Sequence, residues 1–429
     1  MKINYILLVL FLLTSSLNAE IDLIFFTEKA LVNNLQLNAE RKKLESVKQS
    51  RNISRSEFLP SITLSGDQTS STTTNRIDKN GSNLSDTNLD TESKSISLEQ
   101  TIFSGFKGLN TFKKSELQTE KAKLELRQTK QETILKTASA YFDLIFKYKN
   151  EKFYNSNVNL FERQVEFDSA RVQKGEITLT DLAQSESSLA GANANLIKAK
   201  TELYSSNINF ERIIGEKAPD PENLKDKIIL NLPSSLKSSI DIAKSNNIDL
   251  LISKLDYQIA EKELNIEKSR LSPSASINIS KTESKDFSLT LDEKTEESVQ
   301  AKITWPIIKG GENISSIKKS SFDRQRAQLL LKNTQSNTIT ETSDSWSNYL
   351  SSKSVLASTK VQLEAAEIAN EGITSEYDSG NSRTTLDVIQ SRSLLLDARI
   401  AFAKAEKDFF VSQFKLAKQL GTLSLKLLK

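Results

Sequence analysis

Two aspartates occupy positions where a carboxylate has a physical role. Asp181 and Asp387 lie within the stretches Gly175–Ser185 (GEITLTDLAQS) and Gly380–Ser391 (GNSRTTLDVIQS), each of which reads as a turn opening a helix. A carboxylate in a first helical turn interacts well with the positive end of the helix dipole. Thr178, Thr180 or Thr385 is placed to cap. This is the chemistry of charge and turn geometry, not of bond making. The chain has no histidine and no cysteine, so the commonest general base, the commonest metal ligand and any disulfide are missing. No glycine-rich phosphate loop precedes a helix with Lys-Ser or Lys-Thr. Acidic residues are spread along helix faces, so no catalytic constellation, metal site or cofactor site is expected.

The elements that position those turns come in duplicate. Gly175 and Gly380 are 380 − 175 = 205 positions apart, and Gly105 and Gly310 are 310 − 105 = 205 apart. Such self-similarity indicates a tandem repeat: residues 20–215 first, residues 216–235 as a Pro-containing linker, and residues 236–429 second. Each copy reads helix, strand, loop, strand, long helix, turn, helix. The opening helices are expected over 22–57 and 235–271, with polar breaks at Asn34–Gln36 and Asn246–Asp249. The closing helices are expected over 179–215 and 385–420, with Gly215 and Gly421 as stops. From Leu109 to Lys174, and again from Glu312 to Glu371, there is neither glycine nor proline. Such uninterrupted helix formers predict rods, the first on the order of 100 Å long. Their apolar seam is narrow: Ala138, Phe142 and Ile145, then Val158, Phe161 and Val165, and in the second copy Leu356, Leu363, Ala366 and Ile373. That spacing is coiled-coil-like, and the remaining faces look wet.

Residues 1–19 read as a secretory signal, with Lys2, the apolar run Ile6–Leu13 and a cleavage site at Leu17-Asn18-Ala19. An uncleaved N-terminal anchor is the alternative. Mean hydropathy is −0.41, and no other segment could span a membrane as a helix. The formal charge of +3, on 58 basic and 55 acidic residues, gives no footprint for nucleic acid.

Four short strands alternate apolar and polar residues. Ile62 and Leu64 mark the first, Ile96, Leu98 and Ile102 the second, Ala275, Ile277 and Ile279 the third, and Val299, Ala301, Ile303 and Trp305 the fourth. Polar loops are expected over Gly66–Ser93 and Lys281–Ser298. Phe58, Phe103 and Trp305 sit at the ends away from those loops. One reading is two amphipathic hairpins packed on helices. The other is a transmembrane barrel wall with its apolar face toward lipid and an aromatic girdle. Four strands cannot close alone in lipid, so that reading needs several protomers.

The pattern resembles the TolC-type outer-membrane channel family. Phe58-Leu59-Pro60-Ser61 and Leu271-Ser272-Pro273-Ser274 resemble its helix-to-strand junctions. Thr101-Ile102-Phe103-Ser104-Gly105 and Trp305-Pro306-Ile307-Ile308-Lys309-Gly310-Gly311 resemble the return to the long helix. Tyr377-Asp378-Ser379-Gly380 through Leu386-Asp387-Val388-Ile389-Gln390 resembles the periplasmic tip, and Phe414-Lys415-Leu416-Ala417 with Leu420-Gly421-Thr422-Leu423 the closing motif. The resemblance implies a fold that is mainly α with a small antiparallel β part. Long coiled-coil hairpins form a periplasmic α-barrel, and four strands per protomer join a twelve-stranded trimeric β-barrel.

It further implies a homotrimer in outer-membrane lipid that exports cargo when docked to a periplasmic adaptor and an inner-membrane pump of RND or ABC type. The adaptor would dock at the tip turns, Gly175, Glu176 and Ile177 with Gly380, Asn381 and Ser382; the alternative is that these residues only make turns. Asp387 matches an aspartate at the family's narrow entrance, with Asp181 nearby and Gln390 where a second acid often stands. Tyr377, Arg383 and Asp181 resemble a polar latch, a partly buried pair of Arg383 with Asp181 being worth about 1–3 kcal/mol; a solvated arginine is the alternative. The competing hypothesis is an exported soluble coiled-coil filament or periplasmic scaffold subunit. It explains the rods but not the paired strands.

Overall fold

The computed structural model describes residues 23–225, 227–288, 290–379 and 383–428. The signal expected over residues 1–19 and the turn residues Gly380, Asn381 and Ser382 lie outside them. Helices α1 (Leu23–Asn33) and α2 (Leu35–Arg55) lead into β1 (Ser61–Thr73). The short pieces β2 (Arg76–Ile77) and β3 (Asn83–Leu84) precede β4 (Thr87–Ser104), and α3 (Lys107–Gln173) and α4 (Leu179–Ile214) follow. The order then recurs as α5 (Leu236–Asn246), α6 (Ile248–Ser269), β5 (Ser274–Ser288), β6 (Leu291–Thr304), α7 (Glu312–Asp378) and α8 (Thr385–Gln419), before a final turn α9 (Leu425–Leu428). α3 and α7 are 67 residues each. The fold is thus mainly helical with a small antiparallel sheet. No described helix is long and apolar enough to cross a membrane.

The described parts of the chain form two compact units, one from within residues 39–128 and 248–337, the other from within residues 23–38, 129–247 and 338–428. Each takes segments from both halves of the sequence.

The first unit holds the sheet, in the order β1-β4-β5-β6 and antiparallel throughout. The pairing of β4 with β5 sets the two hairpins side by side. Register gathers the apolar residues on one face: Ile62 opposite Leu98, Leu98 opposite Ile279, and Ile279 opposite Val299. Ile62, Leu64, Ile96, Ile277, Ile279, Val299 and Ile303 are all exposed. The other face is polar, with Glu99 opposite Asn278 and Ser65 Oγ 2.7 Å from Ser95 Oγ. A bulge between Thr101 and Phe103 leaves Ile102 unpaired and brings Phe103 opposite Ala275. This shift of parity explains how Leu98 and Phe103, five positions apart, can share a face.

The stretches expected as loops are largely strand. β1 continues to Thr73 and β4 begins at Thr87, while β5 runs to Ser288 and β6 begins at Leu291. Charge replaces the apolar row beyond Ile96 and Ile279, so the period-two signal fades. The backbone ladder continues, supported by ion pairs such as Lys281 with Glu297 at 3.8 Å.

The second unit has a helical core. Phe26 of α1, Tyr141 and Phe142 of α3, Phe210 of α4 and Phe410 and Phe414 of α8 are buried together. Phe142 stacks on Phe410 with centroids 5.0 Å apart. The extended linker is fastened to this core by side chains. Tyr141 donates to the Lys225 carbonyl at 2.9 Å, and Gln413 Oε1 accepts from the Leu230 N–H at 2.9 Å. At Gly421, with φ +72°, an added Cβ would lie 2.0 Å from the Asn246 carbonyl oxygen, so only glycine fits.

Candidate functional site

The helical hairpin ends lie in the second unit. α3 stops in a Schellman turn: the Gly175 N–H bonds the Val172 carbonyl and the Glu176 N–H the Arg171 carbonyl, both at 2.9 Å. Gly175 has φ +75°, the left-handed conformation that this motif requires. Glu176 is exposed and Ile177 half-buried.

Both aspartates are helix caps in the structure. Thr178 begins α4 and its hydroxyl accepts from the Asp181 N–H at 3.2 Å, while Asp181 Oδ2 accepts from the Thr178 N–H at 3.0 Å. Thr384 and Asp387 repeat this reciprocal box at the start of α8, at 3.2 and 2.9 Å. The Thr178 hydroxyl and then its N–H hold the Asp181 carboxyl below the ordinary range. At Asp387 the Thr384 N–H is the leading cause, followed by its hydroxyl. Of the three threonines considered from sequence, Thr178 caps; at the second helix Thr384 does so instead of Thr385. Gln390 is exposed.

Arg383 and Asp181 are not brought together within the protomer. Arg383 Nε donates to Glu376 Oε2 at 2.6 Å, and Glu376 raises its pKa. Tyr377 instead meets Asp168. Asp168 is fully buried and accepts from Gln164 Nε2 at 3.0 Å, from Ser185 Oγ at 2.5 Å and from Tyr377 OH at 2.8 Å. The Tyr377 oxygen, having donated its proton, lies 3.0 Å from Thr385 Oγ1, which donates to it. Burial raises the Tyr377 phenol, so it stays a donor. Arg171 lies over the Tyr377 ring at 5.1 Å. One carboxylate therefore joins α3, α4, α7 and, through Tyr377, α8. A further tie follows on α8, where Arg392 Nη1 donates to the Leu160 carbonyl at 3.2 Å.

Asp168 and Ser185 were not singled out from sequence, although a signal existed. Val158, Phe161 and Val165 step along the seam by three and four, and the next step of three lands on Asp168. A charged residue at a seam position indicates a specific partner. On α7 the seam residue Ile373 is followed four positions later by Tyr377, its partner in space.

A model of the outer membrane efflux protein family matches residues 27–216 and 239–422. The chain belongs to that family. Outer membrane efflux protein BepC of Brucella suis biovar 1 (strain 1330) is 25% identical over 402 residues, 92% of this chain and 84% of its own. Outer membrane protein TolC of Escherichia coli (strain K12) is 24% identical over 427 residues, 96% of this chain and 84% of its own. Among solved structures, the CmeC outer membrane channel of Campylobacter jejuni superposes with a TM-score of 0.81 at 17% identity, over 93% of this chain and 85% of its own. The match spans both parts of the molecule, the sheet and the long helical hairpins. Members of the family are channels of the Gram-negative outer membrane and not enzymes, and this chain is an outer-membrane channel protein of that kind.

Proposed function

We propose that three copies of this chain close into one passive channel that carries small molecules or proteins outward when a periplasmic adaptor and an inner-membrane pump dock at its tip. The sheet carries the reading. Its apolar face is exposed, and among the described residues neither β1 nor β6 has a partner on its outer side. Open edges are not stable in lipid, so the protomer is incomplete, and three copies give about twelve strands. The helices agree: Val355, Val361 and Ile368 of α7 and Ile197, Tyr204 and Ile208 of α4 are exposed apolar residues at near-heptad spacing, suited to contacts between copies. A soluble scaffold gives the apolar sheet face no role.

In this reading the Asp168 cluster holds the tip closed, and Gly175, Glu176 and Ile177 with Gly380, Asn381 and Ser382 receive the adaptor. Asp387, beside Asp181 and Gln390, forms the entrance ring, where three carboxylates favour cations. Cargo follows the partner: relatives are named for efflux, as is BepC, and for alkaline protease secretion, as is AprF of Pseudomonas aeruginosa. Unheated gel electrophoresis of purified outer membranes tests the assembly. A band at three times the protomer mass is expected, and a monomer under all mild conditions overturns the reading. In planar bilayers Asp387→Asn should move the reversal potential toward zero in a salt gradient; an unchanged potential removes Asp387 from the entrance.

A further inference from the structure

The apolar face of the sheet is too short for the membrane it serves. On β5 it runs from Ala275 through Ile277 to Ile279, and on β6 from Ile303 through Ala301 to Val299. Each row covers four residue steps, about 13 Å along the strand. The apolar band of an outer-membrane barrel is roughly 25 Å tall, and strand tilt shortens the row further.

The missing height cannot come from the loop end. The next residues on the same face are Lys281, Glu283 and Lys285 on β5, with Glu297, Thr295 and Glu293 opposite them. Lys281 is already engaged by Glu283 at 3.3 Å and Glu297 at 3.8 Å. This charged ladder belongs in water or among headgroups.

At the other end, where the chain leaves the sheet for the helices, apolar side chains are displayed outward. Ile307 is 75% exposed, Ile308 89%, Phe106 65% and Leu59 63%. Phe106 has φ +64°, a backbone state that bulky residues avoid, and yet its ring is left outside. Such strain is retained where the displayed side chain has a use. Trp305 gives a second sign. Its indole Nε1 donates to the Leu271 carbonyl at 3.0 Å, so the ring needs no water and can sit inside hydrocarbon rather than at its edge. Basic residues follow at once in sequence, Lys107 after Phe106 and Lys309 after Ile308. Lys309 meets Glu312 at 2.9 Å, and both lysines have stems long enough to reach a phosphate layer.

We propose that these junctions form a lipid-contact collar. Leu59, Phe106, Ile307 and Ile308 lie among the acyl chains of the inner-leaflet phospholipid, with Lys107 and Lys309 at its phosphates. The hydrocarbon band is thus centred nearer the helices than the strands alone indicate, and the upper halves of β5 and β6 stand above it. This rests on the barrel reading, since it continues the lipid-facing row past the end of the sheet.

The chain contains no cysteine, so single cysteines can be spin-labelled without background. Val299→Cys, Ile308→Cys, Phe106→Cys and Lys281→Cys are reconstituted as full-length protein in phosphatidylethanolamine–phosphatidylglycerol vesicles. Power saturation then compares collisions with oxygen, which partitions into lipid, and with a water-soluble nickel chelate. The collar predicts oxygen-dominated relaxation at 299, 308 and 106 and nickel-dominated relaxation at 281. Oxygen at 299 with nickel at 308 and 106 overturns the collar and leaves the barrel standing. Exclusion of both reagents at 308 and 106 overturns it in favour of a neighbouring copy covering the junction. Nickel at 299 as well overturns the barrel reading itself. The chain has two tryptophans, Trp305 and Trp346, so Trp346→Phe isolates Trp305. Lipids brominated deep in the acyl chain should quench it more than lipids brominated near the headgroup; the reverse order overturns the placement.

Discussion

Two sets of polar contacts lie within a few turns of each other at the hairpin ends, and they differ in access to water. Asp168 is fully buried and gathers Gln164, Ser185 and Tyr377. Asp181 and Asp387 cap exposed helix starts, and Arg383 pairs with Glu376 in the open. A bond made in water is replaced by water when it breaks. A bond to a buried carboxylate leaves unpaired groups behind when one partner is lost. In the proposed channel the cohesion of a closed tip should therefore reside in the Asp168 cluster, and the exposed contacts should shape the turns without holding the hairpins together.

The largest effect is expected from Asp168→Ala, which removes the acceptor of three donors at once. Hydrogen bonds to a charged group place the loss at about 2–3 kcal/mol, on the order of a 30- to 150-fold rise in the open population. Single-channel recording should show longer or larger openings while the gel-stable assembly is unchanged. A closed channel with wild-type conductance would show that the tip is held elsewhere. Tyr377→Phe is smaller. It keeps the ring under Arg171 but removes the hydroxyl shared by Asp168 and Thr385, at a cost of about 1–2 kcal/mol. If it matches Asp168→Ala, the tyrosine is the dominant contact and the carboxylate its anchor.

This division also shows what sequence could convey. The rods, the turn glycines and the strand pairs announce themselves through glycine and proline placement and apolar period, because backbone constraint and burial both leave residue-level marks. Asn34 illustrates it: a polar break that the structure places between α1 and α2, its Oδ1 accepting from the Leu37 N–H at 2.9 Å. The upper strands left no such mark, since beyond Ile279 the alternation of apolar and polar residues gives way to charge, and backbone pairing with ion pairs such as Lys281 with Glu297 holds them. At the tip, Tyr377 was recognisable by its place in a motif. The resemblance groups Tyr377 with Arg383 and Asp181 and pairs the last two, because likeness identifies residues in a turn more readily than a residue two helical turns back. The acid that meets Tyr377 is Asp168, hidden in the seam as an interruption of its apolar spacing.

The caps come next in size. Thr178→Ala should cost about 1 kcal/mol of local stability, read as faster amide exchange over the first turn of α4 with conductance nearly unchanged. The pH dependence follows from the lowered carboxyls of Asp181 and Asp387. A carboxyl held below its ordinary value stabilises the fold fully above the ordinary range, and that contribution is lost as pH falls through the folded value. Protection of both helix starts, corrected for intrinsic exchange, should be flat from about pH 5 to 8 and fall below about pH 4. Loss of protection between pH 5 and 7 would mean that another group governs these turns.

Arg383→Ala is expected to do least. Its partner Glu376 is on the exposed side of α7, and exposed pairs contribute little because water and salt screen them. If the contact within the protomer is all that Arg383 makes, conductance should stay within twofold of wild type at every ionic strength. A larger rise at low salt that fades at high salt would mean that Arg383 reaches a carboxylate on a neighbouring copy. Asp181 is the nearest candidate in kind, so Asp181→Asn should then remove the salt dependence without touching the Asp168 cluster. The pair of results separates a tip held only from within each protomer from one also fastened around the ring.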